Sequence, residues 1–267
     1  MTADLLAPAG RGVPELWHTD DQFARQLGDP SHADVIRWRW DAFAAALRSY
    51  FAENPDTQVF HVLDAGCGDG INLMALRRIL NELGRPSTLV AIDLNPVRVE
   101  RARAAERAGD RIAFGSVTEL PFESGRFDVV LCNHVLEHIA RPEQAASEIA
   151  RVLCPGGMAI VGVPNEGCVL GQLRNHVLQR SILKATDHVN FFTRATLRHL
   201  LISAGLDIAA VRSRGFFLPH LRLLNCATAY ARGRRILDRA GRLFESQAAD
   251  LLFIAYRNRS RGTVARK

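Results

Sequence analysis

Residues 59–70 read VFHVLDAGCGDG, an apolar run that reaches Asp64 and passes into Gly66, Gly68 and Gly70 at alternate positions. The aliphatic and aromatic run predicts a strand. The glycines that follow let the backbone turn sharply and come close to a ligand, while the helix expected next points unpaired N–H groups at it. Strand, glycine loop and helix in that order make a cofactor site of the nucleotide type. A dinucleotide fingerprint needs Gly-x-Gly-x-x-Gly, yet Ile71 stands where the third glycine would be and Gly70 falls one residue early, so the spacing disfavours NAD. Taken alone, the stretch also suits a tight turn with no ligand.

A second apolar strand, LVAIDLNP, ends on Asp93, 23 residues beyond Gly70. A carboxylate at that strand end can accept both hydroxyls of a ribose at the carboxyl edge of a parallel sheet. Asn95 and Pro96 follow it, so a helix-capping share in its work stays open.

Four more blocks follow in order: GSVTELPF (115–122), FDVVLCNHVLEHI (127–139), RVLCPGGMAIVGVPN (151–165) and HVNFFTRATLRHLLISAGL (188–206). With VLDAGCGDG and Asp93 they resemble the class I methyltransferases that use S-adenosyl-L-methionine, and most of all the type 11 or type 12 subgroup, from about His61 to Leu206. The resemblance implies a Rossmann-like α/β fold: a seven-stranded, mostly parallel sheet in the order 3-2-1-4-5-7-6, the seventh strand antiparallel, with helices on both faces. It implies S-adenosyl-L-methionine as cofactor, bound by Asp64, Ala65, Gly66, Cys67, Gly68, Gly70, Asp93, Leu94, Ser116, Val117, Asn133, His134 and Val135. Asp64 would help place the methionine portion and Asp93 the ribose. One position departs from the family, which usually carries an aspartate after the glycine of the 115–122 block, where this chain has Ser116. A serine offers adenine only a neutral hydrogen bond, leaving more to the backbone of Val117 and Thr118.

At 267 residues the chain suits one α/β enzyme domain with extra segments. We divide it into an N-terminal helical cap segment, 1–58, and a methyltransferase domain, 59–267, with insertions at 165–187 and 219–249. No apolar run reaches the length that crosses a bilayer, and residues 1–21 lack a basic start with a long apolar stretch, which predicts a cytoplasmic protein. Cys67, Cys132, Cys154, Cys168 and Cys226 are odd in number and contain no CxxC pair, arguing against a disulfide frame or a zinc site. Cys154 before Pro155 is expected as a small turn residue rather than a nucleophile.

Lys184 and Lys267 are the only lysines, and the other 32 basic side chains are arginine. From Asp207 onward thirteen basic residues face four acids, a net +9 against +6 for the whole chain. This asymmetry suits phosphate, an anionic substrate or a membrane surface, or simply a solvated arginine-rich face.

Ile36, Trp40, Phe43, Leu47 and Phe51 fall on one face of a helix over 31–51, with Asp29, Pro30 and Ser31 as start signals. It is expected either as a cap over the cofactor or as a helix on the sheet flank, since both bury the same face. Further helices are expected from the glycine loop through Asn81, from Pro96 to Ala108 and from Pro142 to Leu153. Strands are expected at RIAFGSV, FDVVLCN, MAIVGVP, LDIAAVRS and DLLFIAYR. The two insertions should line an acceptor pocket beyond the strand ends, with Leu218, Leu221, Leu224 and Tyr230 adding apolar wall or core packing.

Transfer of a methyl group from a sulfonium mainly requires positioning, plus removal of a proton when the acceptor is a hydroxyl or ammonium. His188 and His134 are the candidate general bases, being expected near the strand carboxyl ends. His138 and Glu137 are expected to brace the following turn, and a structural role for all three histidines stays open. Strand four ends in CNHV rather than Asn/Asp-Pro-Pro-Tyr, and no RRM or KH signature is present. A small-molecule acceptor, without nucleic acid, is therefore the first expectation. An RNA methyltransferase using the arginine-rich end and a non-catalytic cofactor-binding protein are the alternatives.

Overall fold

The computed structural model describes Gly28 and residues 30–104, 111–181 and 187–258. Strand β1 (Phe60–Ala65) runs through the middle of the sheet, parallel to β2 (Ser87–Asp93) on one side and β4 (Phe127–Asn133) on the other. Parallel pairing extends to β3 (Arg111–Phe114) beyond β2 and to β5 (Leu153–Pro164) beyond β4. β7 (Asp250–Arg257) lies antiparallel between β5 and β6 (Leu206–Arg214), giving the order β3-β2-β1-β4-β5-β7-β6. This is the expected sheet.

Helices α1 (Pro30–Glu53), α2 (Ile71–Leu83) and α3 (Pro96–Ala104) cover one face. On the other face lie α4 (Pro142–Val152) and α6 (Arg194–Ser203), with the short α5 (Val169–Leu173) between them in sequence. Alternation along β1 explains why both faces are buried. Phe60 and Val62 join the cluster of Phe43, Leu47, Leu76 and Ile79, whereas Leu63 and Ala65 join that of Ala145, Ile149, Leu197 and Leu201.

α1 divides its work along its length. In its C-terminal half Phe51 stacks on Phe60 at 3.7 Å between ring centroids, and Phe43 and Leu47 are fully buried against the sheet. In its N-terminal half His32, Val35 and Arg39 reach the wall of a cavity beside β5 and β7. The start signal at Asp29, the segment 1–27, residues 105–108 of the expected third helix, and residues 259–267 of the arginine-rich end lie outside the described residues. No described helix is long and apolar enough to cross a membrane.

Two boundaries differ from expectation. RIAFGSV pairs as strand only through Phe114; the Ser116 hydroxyl then accepts from the Thr118 N–H at 3.2 Å and turns the chain away. β5 starts ahead of MAIVGVP, at Leu153, because its register on β4 jumps from Phe127–Leu153 to Val129–Met158 and residues 154–157 bulge out. Cys154 thus sits at the amino edge of the sheet, opposite the glycine loop, with its thiol 3.6 Å from an Asp128 oxygen.

The second insertion forms a helical hairpin, α7 (Leu221–Thr228) and α8 (Ala231–Leu243). Glycines seat it tightly: a Cβ at Gly233 would come within 1.8 Å of the Ala227 carbonyl, and one at Gly241 equally close to that of Gly215. The first insertion contains α5, which continues into a π-helical turn over Arg174–Leu178; residues 182–186 lie outside the described residues.

Candidate functional site

The glycine loop leaves β1 with Gly66, Gly68 and Gly70 all at positive φ, 88°, 57° and 92°. At Gly66 a side chain is excluded twice over, by this backbone and by Val135, whose Cγ2 would lie 2.3 Å from an added Cβ. Gly70 opens α2 without a side-chain cap, so the first N–H groups of that helix face the loop. Ala65 and Cys67 bury their side chains in opposite core clusters and offer the site only backbone. Leu94 is half exposed next to Asp93.

Asp64 is buried, and neither of its oxygens has a hydrogen-bond partner. Burial, and then the charge of Asp93, push its carboxyl up to about 7. An unpaired buried carboxylate beside a loop built for close approach fits a ligand that brings its own cation. Asp93 is part-satisfied: its oxygens accept from the Gly68 and Asn95 N–H groups, each at 2.8 Å. Burial raises its carboxyl, and those two N–H groups oppose the rise. Asn95, not Asp93, takes the capping role at α3, accepting from Val97 at 3.0 Å and Arg98 at 3.3 Å. Asp69 is fixed by Arg98 at 3.4 Å and Arg101 at 3.5 Å.

β4 delivers Asn133, His134 and Val135 to the same edge. The Asn133 side chain is buried with its Oδ1 unpartnered, in space that exists because residue 162 of β5 is glycine; a Cβ there would lie 2.1 Å from that oxygen. His134 adopts φ 57° as the chain turns into the short 3₁₀ turn Leu136–His138. Both its ring nitrogens face carboxylates, Nδ1 to Glu137 at 3.1 Å and Nε2 to Asp250 at 3.2 Å. Burial and the Arg39 charge oppose protonation, but Glu137 and Asp250 outweigh them and raise the pKa above the usual histidine value. Asp250 also accepts from Arg39 Nε at 2.7 Å. Burial would raise Asp250, yet Arg39 and His134 hold it down to about 2.

His188 is anchored in a second chain of contacts. Its Nδ1 lies 2.7 Å from Glu166 Oε2, and the other Glu166 oxygen meets Arg174 at 2.5 Å. Burial pushes Glu166 up, but the His188 hydrogen bond and the His188 and Arg174 charges more than offset it. Arg174 in turn donates to Asn175 Oδ1 at 2.9 Å and lies 4.5 Å over the Phe217 ring. His138 packs edge-on to His188 at 4.8 Å between rings. Ligand-type atoms of Glu137, His138 and His188 come within 4.8 Å of one another, although His134 and Glu166 already engage the first and last of these residues.

A cavity of about 670 Å³ opens beside these residues, walled by His134, Glu166, Arg174 and Asp250 at the strand ends and by Phe216, Phe217 and Leu218 after β6. Leu224 and Leu237 from the hairpin add to it, while Leu221 and Tyr230 do not line it and stand exposed. Ser116 sits apart at the β3 end, its hydroxyl 2.7 Å from that of Thr118. Val117 beside it buries its side chain in the core.

Sequence reading missed Glu166, Arg174, Arg39 and Asp250. For Asp250 a signal existed: an antiparallel seventh strand begins where the parallel strands end, so the residue opening DLLFIAYR belongs to the site edge.

Residues 63–161 match the family model of the Methyltransferase domain. The chain is 36% identical over 169 residues to an uncharacterized 37.1 kDa protein in transposon TN4556 of Streptomyces fradiae, an alignment covering 60% of this chain and 48% of that protein. It is 33% identical over 159 residues to a ubiquinone biosynthesis O-methyltransferase of Xanthomonas axonopodis pv. citri, covering 56% and 64%. The chain thus spans less than two thirds of these curated relatives. Among solved structures it is similar to an S-adenosylmethionine-dependent methyltransferase from Mesorhizobium loti, with TM-score 0.55, 21% identity and coverage of 75% and 93%. At that identity the likeness speaks for the fold. Domain match and sheet order agree with the glycine loop: residues 63–161 carry a methyltransferase domain of the type 11 subgroup, set in the sheet order of the S-adenosylmethionine-dependent methyltransferase fold.

Proposed function

We propose that this chain transfers the methyl group of S-adenosylmethionine to an oxygen, nitrogen or carbon nucleophile on a small molecule seated in the 670 Å³ cavity. Residues 59–267 are read as the methyltransferase domain and 1–58 as a cap segment of which α1 is the described part. The bound cofactor supplies an electrophilic methyl on a sulfonium and needs no redox partner. Asp64 is then the counter-ion for its ammonium group, Asp93 the acceptor for its ribose hydroxyls, and Asn133 and Val135 neighbours of the donor end. Ser116 contributes a turn whose backbone faces adenine.

Cavity size and its mixed phenylalanine, leucine and arginine lining suit a small ligand. The relative named for ubiquinone biosynthesis acts on a small molecule too. The general base proposed is His188, which does not line the cavity itself but is anchored on Glu166, which does. Its Nδ1 lies 2.7 Å from Glu166 Oε2, which orients the ring, and Arg174 keeps Glu166 from swinging away. His134 is held between two carboxylates that face both of its ring nitrogens, so it is set aside as the base in favour of His188.

The test is acceptor-dependent formation of S-adenosylhomocysteine across a panel of phenols, amines and hydroxy acids. His188→Ala should lower turnover by about 10² to 10⁴, the usual worth of a general base, with affinity for S-adenosylhomocysteine unchanged. Turnover equal to that of the parent would return His188 to a structural role.

A further inference from the structure

The outward face of α8 carries Arg232, Arg235, Ile236, Arg239, Arg242 and Leu243 at helical spacing, all exposed, while Gly233, Arg234, Leu237 and Gly241 turn inward. Arg222 on α7 is exposed as well. Over residues 221–244 there are six arginines and one acid, Asp238, which is taken up by Arg214 at 3.2 Å. Arg234, the inward arginine, pairs with Asp34 at 2.5 Å. The five outward arginines form no ion pair among the described residues that would spend their charge inside the protein.

Large apolar side chains stand among these charges instead of beneath them. Ile236 is 56% exposed and Leu243 79%; at the ends of α8 Tyr230 is 74% exposed and Phe244 60%, the latter edge-on to Phe216 at 6.2 Å between rings, and Leu223 on α7 is exposed too. Arginines alone would suit any polyanion. Protruding isoleucine and leucine gain nothing from phosphate and have no use in bulk water, but they gain from a hydrocarbon boundary just below an anionic layer. The platform is also fixed, because Gly233 and Gly241 seat α8 flush on α7 and on the end of β6.

We propose that the outer face of the α7–α8 hairpin docks the protein on an anionic lipid surface, with the arginines at the headgroups and Ile236, Leu243, Phe244 and Tyr230 entering the acyl boundary. The same hairpin lines the cavity with its other side, through Leu224 and Leu237, so docking sets that cavity next to the bilayer. The surface needs no methyl transfer to operate, and its failure would leave the proposed reaction untouched.

The test is co-sedimentation of the full chain with phosphatidylcholine vesicles containing one third phosphatidylglycerol, and with phosphatidylcholine alone. Binding is expected to the first only, and to fall as salt is raised. Arg235→Glu with Arg239→Glu and Arg242→Glu should weaken it by roughly a hundredfold. Ile236→Ser with Leu243→Ser and Phe244→Ser should weaken it as well while leaving every charge in place. Unchanged affinity for S-adenosylhomocysteine in both variants certifies that the fold is intact. No binding to anionic vesicles, binding indifferent to the three apolar substitutions, or retention of a single-stranded RNA in preference to vesicles would each overturn the proposal.

Discussion

At the β1–β2 end of the sheet's carboxyl edge, Asp64 is buried with neither oxygen hydrogen-bonded; at the β5–β7 end, Asp250 is buried and held by Arg39 and His134. The two residues are chemically identical, yet one carboxyl is pushed up to about 7 and the other held down to about 2. Burial raises both. What differs is whether the chain itself supplies the cation. The β5–β7 end is wired internally: Asp250 meets Arg39 and His134, and Glu166 meets Arg174 and His188. The cofactor end leaves its central charge open, as a site for a cationic ligand must.

Opposite consequences follow from breaking the two ends. The largest effect on stability is expected from Arg39→Met, which leaves Asp250 buried with His134 as its remaining charged partner and should cost about 3 kcal/mol at neutral pH. Because Asp250 is depressed, its contribution to stability is present above the ordinary carboxylate range and is lost as pH falls through about 2, so the penalty should shrink in acid. Denaturant titration of variant and parent at neutral and acid pH measures it. A penalty independent of pH would assign Arg39 to packing alone.

Asp93→Ala should do the reverse. It removes a charged acceptor worth roughly 1.5–3 kcal/mol of ligand binding, with a smaller change in unfolding free energy. Calorimetry with S-adenosylhomocysteine reads the loss directly. Unchanged affinity would remove Asp93 from the ribose role and leave it as the brace of the Gly68 and Asn95 N–H groups.

The cofactor end was legible in sequence because its devices are local: a strand, three glycines within five residues and an acid at the next strand end. The order of the strands followed from the resemblance. Glu166, Arg174, Arg39 and Asp250 were not legible, since their partners lie far along the chain; Arg39 and Asp250 are 211 residues apart. His134 illustrates the same limit. Its place after β4 suggested a base, but Asp250, delivered by the antiparallel strand, occupies the nitrogen that a base would need. α1 was readable as a buried face, while its division between sheet packing and cavity wall depends on where β7 begins.

The most direct test of the contrast between the two ends is the pH dependence of S-adenosylhomocysteine binding to the parent and to Asp64→Asn. The ligand's α-ammonium stays charged below pH ~7.5, so it adds little slope of its own. Asp64 must release its proton to pair with that group, and with its carboxyl at about 7 in the free protein, affinity should rise more than tenfold from about pH 5.5 to about pH 7. Asp64→Asn should bind weakly with a flat profile. The same substitution should stabilise the free protein near pH 8, because a raised carboxyl costs folding free energy once pH passes from the ordinary range through about 7. Affinity flat in the parent, or kept in Asp64→Asn, would contradict the open-carboxylate account.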